Sequence, residues 1–133
     1  MVAYNFQKQF APLVETGQKR QTIRALRKTR HAKAGEPVQL YTGMRTKGCR
    51  KLIDPDPLCS SNTHIEITES DIIGANGIKL PRIESLGDER DFVLDKFAEL
   101  DGFKDFENMK AWFRKAHGLP FVGRLIKWEL AND

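Results

Sequence analysis

Apolar positions recur with a two-residue period through roughly the first two thirds of the chain and with a helical period through the last third. Tyr4 to Gln7 is β-prone. Phe10 to Glu15 reads as a short helix, with Pro12 in its first turn and Gly17 placed to end it in a left-handed cap. The helix delivers the chain into a strand over Lys19 to Arg24, where Gln21 and Ile23 face one side and Thr22 and Arg24 the other. Leu26 to Ala34 has no apolar period and reads as an exposed loop. Gly35-Glu36-Pro37 turns into a strand over Val38 to Thr42, and Gly43 to Gly48 connects onward. Asp54-Pro55-Asp56-Pro57 breaks regular structure, because each proline removes a donor and restricts the residue before it. His64 to Thr68 alternates as a half-buried strand. Asn76-Gly77, set between Ile72-Ile73 and Ile78-Lys79-Leu80, supplies the positive φ angles of a tight hairpin.

The pattern then changes. A helix is predicted over Asp88 to Leu100 with Phe92, Leu94, Phe97 and Ala98 inward, and Asp101-Gly102-Phe103 interrupts it. A second helix, Phe106 to His117, carries the stripe Phe106, Met109, Trp112, Phe113 and Ala116, a spacing that marks a core rather than a cofactor platform. Gly118 ends it, and Phe121 to Leu130 closes the chain as a strand with Val122, Ile126, Trp128 and Leu130 on one face. Together these elements predict an α+β fold. Short, mostly antiparallel strands would form a small barrel, with an early helix and a late helical pair flanking it.

At 133 residues the chain fits one domain spanning residues 1–133. No stretch approaches the ~18 consecutive apolar residues of a membrane span. The start, Met-Val-Ala-Tyr-Asn-Phe-Gln-Lys, lacks the charged opening and apolar run of a secretory signal, so a cytoplasmic protein with no membrane partner is expected. Charge alters the picture more. The net +4 conceals an asymmetry: residues 1–53 hold twelve Lys or Arg against two acids, Glu15 and Glu36, whereas residues 54–133 hold ten against sixteen. A basic half is the footprint of a polyanionic partner, most commonly nucleic acid, with a solvated basic loop as the plainer alternative. The basic residues do not lie on an apolar-faced helix, which argues against a membrane surface. Cys49, Cys59 and His64 form Cys-x9-Cys-x4-His, without the fourth ligand and paired spacings of structural zinc. Two reduced thiols, no metal and no cofactor are therefore expected.

Candidate chemistry concentrates in Gly17-Gln18-Lys19-Arg20-Gln21-Thr22-Ile23-Arg24, which joins a hydroxyl nucleophile, an amine base and a cationic clamp within eight positions. Amide hydrolysis needs a nucleophile, a base and a stabiliser of the oxyanion. Lys19 acts as a base only when neutral, a state that Arg20 and Arg24 favour by like-charge repulsion and an adjacent acid opposes.

The Gly-x-Lys-x-x-Thr-x-Arg motif at Gly17, Lys19, Thr22 and Arg24 is followed by Gly35-Glu36 before the next strand. Later come Phe97-Ala98-Glu99-Leu100-Asp101-Gly102-Phe103, a helix ending at Phe113, and the strand from Phe121 to Trp128. In this order the motifs resemble the ASCH family of PUA-like barrel domains, in particular stand-alone members from bacteria and phages, over nearly the whole chain. A more distant resemblance is to amidohydrolases that deacetylate N(4)-acetylcytidine. It implies a PUA-like β-barrel with a central cleft that recognises RNA or a pyrimidine nucleoside, with Lys19 and Thr22 as catalytic residues. Asp101 falls in place of the family's catalytic Glu, one methylene shorter. Arg50 to Pro81 is an insertion relative to the compact enzymes and a candidate lid. The nucleic-acid-binding candidates are Arg20, Arg24, Arg27, Lys28, Arg30, Arg45 and Lys47, with Tyr41 as a stacking surface. Three activities stay open: hydrolysis of an N-acylated cytidine, non-catalytic binding of single-stranded RNA, and a ribonuclease using His31 as its titratable group.

Overall fold

The computed structural model describes residues 2–80 and 90–131. The described residues form an α+β fold with three α-helices and mostly antiparallel strands. In chain order the elements are β1 (Val2–Phe6), α1 (Ala11–Glu15), β2 (Gln21–Ala25), β3 (Val38–Thr42), β4 (Arg50–Lys51), β5 (Leu58–Ile67), β6 (Ile72–Ile73), β7 (Lys79–Leu80), α2 (Arg90–Leu100), α3 (Phe106–Ala116) and β8 (Phe121–Glu129). One sheet has the order β1-β3-β4 and the other β2-β8-β5-β6-β7. The residues group into two compact units, Met1–Thr22 with Arg27–Asn62 and Ile126–Asp133, and Ile23–Leu26 with Thr63–Leu125.

In the first unit, β1 and β3 pair in parallel, with Val2 opposite Val38, Tyr4 opposite Leu40 and Phe6 opposite Thr42. Val2, Tyr4, Phe6, Val38 and Leu40 are buried, as the two-residue period requires, while Asn5 stays exposed. This parallel pair departs from the antiparallel pattern expected of the short strands. It forms because α1 and β2 lie between the two strands in sequence and supply the length a parallel crossover needs. α1 carries Pro12 in its first turn and is followed by Gly17 at φ +82°, as its sequence predicts. Two features, one in the loop after β2 and one at the start of β5, differ from expectation. His31 and Ala32 are buried, because the Tyr4 hydroxyl reaches both of them. The strand expected at His64 begins at Leu58, since β5 extends across the polar residues Ser60, Ser61 and Asn62, which carry no alternation to reveal it.

The second unit is organised by an apolar cluster of Ile23, Ile65, Ile67, Ile72, Leu94, Phe97, Ala98, Phe106, Met109, Phe113, Phe121 and Leu125, with Phe103, Trp112 and Leu119 packed against it. α2 buries Val93, Leu94, Phe97 and Ala98, leaving Phe92 44% exposed. The inward arc is therefore centred one position later than expected, because Val93 takes the place predicted for Phe92. α3 is capped by Asp105, which accepts the Asn108 amide N–H at 2.8 Å, and buries Phe106, Met109, Lys110 and Phe113, leaving Ala116 exposed. β6 and β7 form the expected hairpin, with Ile73 opposite Lys79 and positive φ at Asn76 (61°) and Gly77 (72°). The expected helix start at Asp88 and the last insertion residue, Pro81, lie outside the described residues.

β8 buries Phe121, Gly123 and Leu125 and then Ile126 and Trp128. Two consecutive residues, Leu125 and Ile126, point inward, so the buried set changes parity there and Val122 is 41% exposed instead of sharing a face with Ile126. Gly123 is obligatory: a Cβ there would collide with the Arg24 carbonyl oxygen and come within 2.8 Å of the Phe121 ring.

Candidate functional site

The Gly17 turn sets the direction of the motif. Gly17 donates its N–H to Val14 O at 3.1 Å, Lys19 donates to Leu13 O at 2.9 Å, and Arg20 Nε donates back to Gly17 O at 3.0 Å. The chain folds back on α1, with Arg20 outward and Lys19 inward. Lys19 is only 3% exposed, and its ammonium lies 5.9 Å from the centre of the Phe6 ring and 5.3 Å from that of Phe10. Aromatic faces attract such a cation by their quadrupole, more strongly where water is excluded. The Phe6 ring also meets the Trp128 ring edge-on at 6.0 Å. The Trp128 indole N–H is buried and has no hydrogen-bond partner among the described residues.

Thr22 is 4% exposed, and its neighbours Gln21 and Ile23 are also buried, so both faces of this part of β2 are covered. Lys19 and Thr22 belong to the first unit; Arg24, half-buried, and Asp101 belong to the second. Asp101, 3% exposed, ends α2: its N–H reaches Phe97 O at 3.2 Å and Ala98 O at 3.1 Å, while Phe103 N–H reaches Ala98 O at 2.9 Å. All three residues assigned to catalysis are thus buried polar side chains rather than solvated turn or strand residues.

The basic candidates divide by what they touch. Arg30 forks onto Glu36 at 2.6 and 2.7 Å, and Glu36 also accepts the Lys33 amide N–H at 2.7 Å. The Arg30 fork and then the Lys33 N–H hold the Glu36 carboxyl down to about 2, and the same fork raises the Arg30 guanidinium. Arg30 therefore clamps its own loop. Arg27 and Lys28 are exposed, and the Arg27 guanidinium carbon lies 5.3 Å from the centre of the Tyr4 ring. Tyr4 stacks at 16° on His31, ring centres 5.8 Å apart, shares a 3.0 Å hydrogen bond with His31 Nδ1 and accepts the Ala32 N–H at 3.1 Å. Asn62 completes the anchorage by donating to Ala32 O at 2.8 Å. Tyr41 is half-buried on β3, opposite Lys51. Arg45, at φ 66°, and Lys47 are exposed in the turn closed by Thr46, whose hydroxyl donates to Gly43 O at 2.6 Å. Arg50 forks onto Glu15 and Lys51 pairs with Asp56, so neither contributes an unbalanced charge.

Sequence reasoning passed over Tyr4, Phe6, Phe10 and Glu36 as functional supports. A visible signal existed for Tyr4, an inward strand position with a polar tip that must find a partner once buried. His31, 8% exposed and bonded to Tyr4, is part of the loop's anchorage rather than a solvent-facing base. Cys49 is exposed and Cys59 buried, both as free thiols, and burial pushes the Cys59 thiol up. Among the described residues no group of three or more His, Cys, Asp or Glu side chains is placed to hold a metal, and no helix is long and apolar enough to cross a membrane. Comparison with protein-family models, with curated proteins and with solved structures finds no match to the chain.

Proposed function

We propose that this chain is an ASCH-like, PUA-like protein that binds RNA or a pyrimidine nucleoside and hydrolyses the amide of an N-acylated cytidine. The observation that carries the reading is the burial of Lys19 against two aromatic rings, three residues before the equally buried Thr22. Lysine is among the residue types least often buried, so a fully covered lysine side chain calls for a reason beyond solubility. In the proposed reaction Lys19, in its neutral form, takes the Thr22 hydroxyl proton as the oxygen attacks the acyl carbon. A protonated acid returns a proton to the departing cytidine amine, and water then releases the acyl group as a carboxylate. The acid role of Asp101, which is buried at the end of α2, rests on the sequence resemblance.

Incubation with N(4)-acetylcytidine, followed by chromatographic separation of cytidine, tests the reaction. Wild-type protein should release cytidine, with Lys19→Ala and Thr22→Ala inactive and Asp101→Asn strongly slowed. Cytidine release no greater than that of Lys19→Ala would refute the hydrolase.

A second reading, non-catalytic binding of single-stranded RNA, is favoured by the exposed Arg27 and Lys28 on a loop held open by internal anchors. Binding through about four phosphates predicts a log-log salt slope of about −3. A flat response would remove it. The ribonuclease alternative asks His31 to serve as an open general base, and its burial beside Tyr4 favours the other two.

A further inference from the structure

We propose that the Arg27 guanidinium is the platform on which one base of a single-stranded nucleic acid stacks, with Lys28 contacting phosphate and Arg30 making no ligand contact; this deepens the binding reading above and rests on it. The loop's cations are not equivalent. Arg30 is neutralised by a bidentate carboxylate and also donates to His31 O at 3.3 Å, so its fork is already spent on the protein. Among the described residues Arg27 makes no ion pair and one long hydrogen bond, to Arg30 O at 3.5 Å. Its guanidinium instead lies over the Tyr4 ring, which is itself fixed by His31 and by the Ala32 N–H.

A guanidinium resting on a ring has given up side-chain freedom before a ligand arrives, so a base that stacks on it has less ordering to impose. Arginine is suited to this because its cation is planar, delocalised and weakly hydrated, whereas a lysine ammonium offers a point charge with no face. Bases reach such a platform only when splayed from a single strand. A duplex is the poorer partner. On α3, the most basic of the described helices, Lys110 is buried on Glu69 O and Arg114 is tied to the Glu69 carboxylate, which leaves the exposed Lys115 in its last turn as a single cation rather than a basic face to enter a groove.

The test is a salt-titrated anisotropy measurement with short labelled oligouridine, oligothymidine and a base-less (abasic) oligomer. Arg27→Lys keeps the charge and removes the plane, so it should weaken both base-bearing strands about tenfold at every salt concentration, leaving the slope unchanged. On the abasic strand Arg27→Lys and wild type should bind alike. Lys28→Ala should flatten the slope by about 0.7 on all three. Thermal melts of each variant confirm that the fold persists. Equal binding of Arg27→Lys and wild type to oligouridine, or a loss that persists on the abasic strand, overturns the platform while leaving the binding reading intact. Failure of wild type to bind any of the strands at low salt overturns both.

Discussion

The unit carrying α2 and α3 closes over twelve apolar side chains, whereas the unit carrying β1 and β3 buries Lys19, Gln21, Thr22 and His31 beside its aromatic residues. The helical unit also covers polar groups, but those with assigned partners act as clips. Lys110 donates to Glu69 O at 2.7 Å and pairs with Glu107, and Asp71 is held by Arg90 and Lys79. In the strand unit the buried polar groups sit on the motif that points to chemistry and on the loop that carries exposed cations, while the third catalytic candidate, Asp101, is buried in the helical unit. Burying a polar group is expensive unless it is bonded, so each such position marks a place where packing alone does not decide the residue.

The comparison breaks most visibly at Gly123. Gly123→Ala should abolish cooperative unfolding in a thermal melt, because the new methyl meets backbone rather than a movable side chain tip; a melt within a few degrees of wild type would show that β2 and β8 can separate locally. Phe113→Ala, in the middle of the apolar cluster, should cost about 3–5 kcal/mol in denaturant titration. In the strand unit the expected losses are smaller. Tyr4→Phe keeps the ring but strands the Ala32 N–H, costing about 1–3 kcal/mol and raising hydrogen exchange at Ala32. Trp128→Phe exchanges a small cavity for removal of an orphaned donor and should change stability by no more than about 1 kcal/mol. The smallest effect is electrostatic. Glu36 titrates below its unfolded value, so its clamp is intact above the ordinary carboxylate range and is lost as pH falls through about 2. The protection of the Lys33 N–H, measured against its intrinsic exchange rate at each pH, should fall over that window and stay constant between pH 5 and 8.

Most elements were legible because their signals are local. Pro12 and Gly17 bracket α1, Asn76-Gly77 makes the hairpin, and Gly118 ends α3, whereas the Asp105 cap at its start carried no reading in the sequence. What escaped depends on distant partners. The parity change at Leu125–Ile126 needs knowledge of which neighbour covers each half of β8, and the start of β5 at Leu58 is set by Glu36 O accepting the Cys59 N–H at 2.8 Å. At the candidate site, Lys19 and Thr22 could be singled out by spacing, but their burial could not, since Phe6 and Phe10 precede the motif and carry no mark of what they cover. The division of labour between Arg27 and Arg30 was equally hidden. One acid, Glu36, decides it.

The parallel pairing of β1 with β3 also has a meaning in time. Val2 waits for Val38 and Phe6 for Thr42, so during synthesis β1 must remain without this sheet partner until the whole of β3 is free of the ribosome. Tyr4 and Phe6 are therefore open to chaperones, and to one another on neighbouring nascent chains, for longer than the strands of the β6–β7 hairpin.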